Sequence, residues 1–223
     1  MLKRSEQPMA TATEKQMPSP LWSMERLRKH LGMIPAERIL LFPYNGPATQ
    51  EDVVYLDDHH NLVCELIDGI LVRKPMASEE SRLAMFLGRK IGNFAENQKL
   101  GDVLGEAGLL ELMPGQVRVP DVSFISKRRF PGGKRPKKKI WPVVPDLAVE
   151  VLSESNTPKE MARKRREYFA QGTLLVWQVD PRKRTVEVFT SPTESRVFHV
   201  GQTLDGGDVL PGFKLKVSEI FEE

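Results

Sequence analysis

A chain of 223 residues, 40% of them hydrophobic, can bury one good core with decorations rather than two independent domains. Its single cysteine, Cys64, excludes an intrachain disulfide framework and any multi-cysteine metal site, and fits a reducing, cytoplasmic setting. No apolar run approaches the roughly 18 residues a membrane span needs, and the formal net charge of +3 conceals two basic segments in an otherwise acidic chain.

Residues 1–20, MLKRSEQPMATATEKQMPSP, lack the apolar centre of a secretory signal and read as a disordered leader. Residues 21–47 read as an N-terminal extension whose amphipathic helix carries Met24, Leu27 and Leu31. Thr49 before EDVVYLDD predicts a capped helix with Asp52 at its third position, and Asp57-Asp58-His59-His60 reads as a polar turn. In NLVCELIDGILVRKPM, two apolar runs flank Asp68-Gly69, which predicts a hairpin because glycine tolerates positive φ. Residues 78–96 predict an amphipathic helix with Leu83, Leu87, Ile91 and Phe94 on one face and Ser78 as its cap. Glu80 shares that face, where a first-turn carboxylate is favoured by the helix dipole. DVLGEAGLLELM and VRVPDVSFI read as two strands split at Pro114-Gly115. A long basic loop and the strand PDLAVEVLS follow. The next helix is bounded by Thr157, Pro158 and Glu160 at its start and Gly172 at its end. LLVWQVD and TVEVFTS predict two more strands around Pro181, and the tail adds a turn, a strand and a short helix. This order predicts an α/β or α+β fold, a sheet flanked by helices.

The basic segments are residues 127–139, KRRFPGGKRPKKK, with eight basic residues and no acid, and residues 159–166, KEMARKRR, with five and one. They hold 13 of the 33 lysines and arginines, and the rest of the chain carries a net charge of −9. Concentrated positive charge suits a polyanion, whose counterions are released on binding. The alternative is a solvated loop and a charged helix face.

Glu150 is an anomaly. It sits among Leu147, Ala148, Val149, Val151 and Leu152, in a run that reads as a central strand covered on both faces. A lone carboxylate there costs several kcal/mol unless its charge is offset. Mg²⁺, or Mn²⁺ in its place, suits such a site, since it takes one or two carboxylates plus waters and phosphate oxygens. Asp146 is too far to share the ion, because four residues along a strand span about 13 Å. Asp121 on the preceding strand is the better partner, since paired strands lie only about 4.8 Å apart, and the carbonyl of Val151 offers a further ligand. A positive group should also be near, and the next helix offers Lys164 at the edge of its apolar stripe and Arg165 nearer the centre. Periodicity does not choose between them. An ion pair between Glu150 and either residue, without chemistry, would also satisfy the pattern.

ELIDGILV at 65–72, RVPDVSF at 118–124, DLAVEVLSES at 146–155, the Lys164-to-Tyr168 spacing and LVWQVDPRKRTVEVF at 175–189 together resemble the Uma-two family of restriction-endonuclease-like bacterial proteins. The resemblance covers about residues 48–222. It implies a PD-(D/E)XK nuclease fold, with a mixed sheet between helices and an N-terminal hairpin, in a domain spanning 48–223. By that resemblance Asp121 matches the aspartate of the PD motif, Glu150 the acidic residue of the central strand, and Lys164 a lysine moved to the next helix. Many members carry a histidine where this chain has Glu80-Ser81, which leaves Glu80 as a candidate additional metal ligand. The implied activity is Mg²⁺-dependent hydrolysis of phosphodiester bonds in DNA, and nucleases of this fold often act as homodimers. Lys127, Arg128, Arg129, Lys134, Arg135, Lys137, Lys138 and Lys139, with Arg163, Arg165 and Arg166, would grip flanking phosphates. A catalytically inactive nucleic-acid-binding or protein-interaction module on the same fold is the alternative.

Overall fold

The computed structural model describes residues 22–43, 46–75 and 77–222; the predicted leader, residues 1–20, lies outside them. The chain opens with α1 (Met24–His30), capped by Ser23, and a 3-10 turn at Ala36–Arg38 leads into β1 (Ile39–Leu40). Next comes α2 (Gln50–His60), where the Asp52 carboxylate accepts from the Thr49 backbone N–H at 2.7 Å, the reciprocal bond of a capping box. Asp57 to His60 are its last turn rather than a free polar turn, and both histidine rings lie against Tyr55. The hairpin forms as predicted, from β2 (Cys64–Ile67) and β3 (Ile70–Arg73), with Asp68 and Gly69 both at positive φ.

The amphipathic helix predicted over 78–96 is α3 (Ser78–Asn97), with Leu83, Leu87 and Ile91 fully buried. Ala77 holds the N-cap position and Ser78 is already helical, so Ser78 is not the cap. The two long strands expected after it are four. They are β4 (Gly101–Leu104), β5 (Leu110–Met113), β6 (Gln116–Arg118) and β7 (Val122–Ser126). The breaks fall at the turn between Gly105 and Gly108 and at Pro120, which can donate no ladder hydrogen bond.

Each break moves the chain between sheets. One sheet has the order β1-β3-β2-β6-β5. The larger one contains β7, β4 and the later strands β8 (Leu147–Val151), β9 (Leu175–Asp180), β10 (Thr185–Phe189) and β11 (Ser195–His199), in the order β11-β10-β9-β8-β7-β4. Strand β8 pairs antiparallel with β7 and parallel with β9, and all five of its residues are buried. Between β8 and β9 runs α4 (Pro158–Ala170), where Thr157 Oγ1 accepts from Glu160 N at 3.0 Å. The tail supplies β12 (Thr203–Asp205), β13 (Lys214–Lys216) and α5 (Val217–Phe221). Strand β11 was not expected, because Phe198 is its only buried residue and it carries little apolar signal.

The main core lies between α3, α5 and one face of the larger sheet, around Leu83, Leu87, Val122, Val149, Trp177 and Ile220. The opposite face meets α4 through Ile125, Ala148, Val176 and Tyr168. The N-terminal extension is tied to α4. Arg38 makes a two-pronged ion pair with Glu160 at 2.8 and 3.0 Å, both side chains buried. A Cβ at Gly32, whose φ is +89°, would meet the Glu160 backbone nitrogen at 2.7 Å, so only glycine permits this approach. No helix among the described residues is long and apolar enough to cross a membrane.

Candidate functional site

The register of β7 and β8 pairs Val122 with Val149 and Ser123 with Ala148, and Asp121, the residue before β7, donates its backbone N–H to the Val149 carbonyl, which brings it beside Glu150. Both residues line one small cavity of about 20 Å³. Arg38, Glu65, Lys74, Glu80, Val151 and Lys164 also border it. The Asp121 carboxylate is held by the Val151 backbone N–H, which donates to Oδ2 at 2.6 Å, and by the Lys74 ammonium, 2.8 Å from Oδ1. Glu150 accepts from Lys164 at 3.0 Å and from the Tyr168 hydroxyl at 2.7 Å.

The structure resolves the choice left open by periodicity. The buried face of α4 is Glu160, Met161, Lys164 and Tyr168, so Lys164 is directed at the sheet. Arg165 turns away; its guanidinium lies over the Phe189 ring at 4.0 Å and donates to the Pro192 carbonyl.

Lys164 also lies 3.0 Å from Glu65, which the sequence reading did not single out. The single pairing of β2 with β6, Leu66 with Val117, places Glu65 opposite Arg118, and these two form a pair at 2.7 Å with each side chain 2% exposed. Arg118 in turn contacts Glu167, which Arg163 also holds. Arg163 reaches Asp68 in the hairpin turn at 2.6 Å. Alternating charge thus runs from the hairpin turn to Glu150, half-buried at Asp68, Arg163 and Glu167 and buried from Arg118 onward.

Electrostatics follow from this arrangement. Burial alone would raise Glu65, but Lys164 and Arg118 overcome it and bring its pKa down to about 2. Glu150 moves the other way: burial pushes it up, Lys164 opposes, and neighbouring Asp121 and Glu65 push it further. Lys164 is raised, because Glu150 and Glu65 outweigh the burial that disfavours its charge. Burial and the adjacent Glu150 raise Tyr168 well above the usual phenol range.

The donor set fits a small oxygen-seeking cation. Asp121 and Glu150 face each other across adjacent strands, and the ammonium of Lys74 already stands at Asp121 as a positive charge in the cavity wall. Among the described residues no three His, Cys, Asp or Glu side chains converge closely enough to hold a metal. The protein ligands would therefore be two carboxylates and a backbone carbonyl, the rest being water and substrate oxygens. Glu80 borders the cavity from the first turn of α3 without completing a third protein ligand.

A groove of about 660 Å³ leads away from Asp121. It runs between α3, along Ala84, Gly88, Gly92 and Glu96, and the edge strand β4, and reaches Lys127 and Arg135 at its far end. The start and middle of the basic loop, Lys127 and Arg135, thus share one depression with Asp121, although the loop leaves the sheet at the other end of β7. Much of its charge is internally matched. Arg128 and Arg129 hold the buried Asp146, whose pKa is lowered against burial by these arginines and by Ser126. Arg135 pairs with Asp102, and Lys139 with Asp57 and Asp58. Lys127, Lys134, Lys137 and Lys138 are exposed, and so is Arg166 on α4.

Comparison with known proteins bears on the fold and the family. No curated protein matches the chain. A solved structure titled as a putative nuclease belonging to DUF820 from Anabaena variabilis superposes with a TM-score of 0.64 at 22% identity, covering 72% of this chain and 90% of that one. At that identity the likeness establishes a shared fold, a mixed α/β architecture with sheets flanked by helices. The model of the Uma2 family, described as "Putative restriction endonuclease", matches residues 50–218, and the chain belongs to that family.

Proposed function

We propose that the protein is a divalent-metal-dependent endonuclease that hydrolyses phosphodiester bonds in DNA. The observation that carries this reading is the convergence of Asp121 and Glu150, from adjoining strands, on one cavity, with Lys164 reaching in from the following helix.

Asp121, Glu150 and the Val151 carbonyl would hold Mg²⁺ or Mn²⁺. Bound there, the ion supplies an activated water and stabilises charge on the scissile phosphate. The chain's own groups prepare the place. The Val151 N–H fixes the Asp121 rotamer, and Tyr168 with Lys164 fixes both oxygens of Glu150. Lys164 adds positive potential where negative charge develops on the phosphate oxygens. The groove along α3 and β4 would take the nucleic-acid backbone, and the exposed lysines of the loop would contact phosphates beyond it without reading sequence.

Supercoiled plasmid incubated with protein and Mg²⁺ or Mn²⁺ tests the reading. Wild type is expected to nick it; Asp121→Ala and Glu150→Ala are expected to lose at least about a hundredfold in rate, the scale on which single electrostatic contributors act. Nicking that persists in both variants places the activity elsewhere. Salt-dependent DNA binding by a wild type that does not cleave supports the binding-module alternative.

A further inference from the structure

Three buried carboxylates, Glu65, Asp121 and Glu150, meet three buried cations, Lys74, Lys164 and Arg118, around the candidate centre. Those six charges balance without a metal. A divalent ion added to this set leaves two positive charges in excess within a space sheltered from water, where uncompensated charge is costly. Release of one internal cation halves that excess. Lys164 and Arg118 are poorly placed to leave, since each bridges two carboxylates and its release would break two ion pairs at once. Lys74 pairs with one carboxylate, that of Asp121, and its second contact is a 3.3 Å hydrogen bond to the Glu106 carbonyl. It also follows β3 directly, in the cavity wall, on a long flexible stem of the kind that can carry an ammonium out to water.

We propose that Lys74 is a built-in competitor for the metal: its ammonium holds the cation position on Asp121, and a divalent ion binds only when Lys74 swings out. The inference rests on the metal-site reading above and goes further, since it assigns a residue that sets metal affinity. The cavity of about 20 Å³ leaves room for a single water-sized occupant beside the carboxylates, in keeping with one cation displacing another.

Mn²⁺ binding measured by electron paramagnetic resonance tests this without reference to cleavage. Full-length wild type, Lys74→Met, Lys74→Gln, Asp121→Asn and the Lys74→Met/Asp121→Asn double variant are titrated, with circular dichroism confirming each fold. Lys74→Met and Lys74→Gln are expected to bind Mn²⁺ at least about tenfold more tightly than wild type, a difference well within what one displaced charge can produce. The gain is expected to vanish in the double variant. In wild type, acetylation of Lys74 followed by mass spectrometry is expected to accelerate when saturating Mn²⁺ is added, because the amine becomes exposed. If the Lys74 variants bind no more tightly while Asp121→Asn weakens binding, the competitor assignment fails and the metal site stands. If no protein binds Mn²⁺, or Asp121→Asn changes nothing, the metal site itself fails and takes this inference with it. Should both Lys74 variants misfold, unchanged acetylation on Mn²⁺ addition refutes the displacement.

Discussion

Replacing Lys164 with methionine isolates the electrostatic core of the site. The substitution keeps most of the side-chain volume and removes the ammonium that lies 3.0 Å from both Glu150 and Glu65. Glu65 retains Arg118 and the Val119 N–H, whereas Glu150 retains only the Tyr168 hydroxyl. Breaking a buried pair from one side typically costs about 3–5 kcal/mol. Glu150 has an escape, which is to take up a proton. From an ordinary pKa of 4.5, protonation at pH 7 costs roughly 3.4 kcal/mol at about 1.36 kcal/mol per pH unit, and at pH 5 only roughly 0.7. The sign follows from linkage: a carboxyl whose folded pKa is raised stabilises the fold below its unfolded pKa and loses that contribution as pH rises through the folded value. Lys164→Met should therefore lose about 3 kcal/mol at pH 7 and about 1 kcal/mol at pH 5. Adding Glu150→Gln should recover most of the loss at pH 7. Urea unfolding of the three proteins from pH 5 to pH 8 measures this directly. A loss under 1 kcal/mol at pH 7, or one that does not change with pH, would show that water screens Glu150 and would refute the reasoning.

Glu65 should behave oppositely. Its pKa is depressed to about 2, so its contribution is full above its ordinary value of 4.5 and disappears as pH falls from there towards 2; Glu65→Gln should flatten the acid limb of the stability curve over that window, and an unchanged limb contradicts the assignment. Replacing Lys134, Lys137 and Lys138 together by alanine should leave the melting temperature within a degree or two and reduce the slope of log affinity for duplex DNA against log salt by about 2.7, at roughly 0.9 per phosphate contact. An unchanged slope would separate this loop from DNA binding. Arg129→Ala should instead lower thermal stability, because it strips a partner from the buried Asp146.

The sequence carried the local parts of this architecture well. The hairpin at Asp68-Gly69, the capping box at Thr157 and Glu160, and the central strand around Glu150 all depend on nearby residues, and all are present. What it did not carry was set by contacts between the two sheets. Lys74 follows the hairpin and Asp121 precedes β7, and their ion pair exists only because the sheets abut. No periodicity within either segment signals it. Glu65 and Arg118 were within reach, since each is a lone charge in an apolar strand, VCELI and QVRV, the same anomaly that marked Glu150. Lys164 and Arg165 were indistinguishable because the apolar residues of this helix, Met161, Ala162, Tyr168 and Phe169, do not coincide with its buried face, which is Glu160, Met161, Lys164 and Tyr168. A stripe that includes charged residues cannot be located by hydrophobicity alone. The continuity between Asp121 and the basic loop was hidden too, because the groove is formed largely by α3 and an edge strand.

The central claim is that Asp121 and Glu150 hold one divalent ion between adjoining strands. Crystals soaked in a high concentration of Mn²⁺ and measured at the manganese absorption edge test it most directly. The account predicts a single anomalous peak within about 2.0–2.4 Å of an oxygen from each of the two carboxylates, with the Lys74 ammonium moved off Asp121. A peak elsewhere, or no peak with Lys74 and Lys164 still seated on both carboxylates, would contradict it.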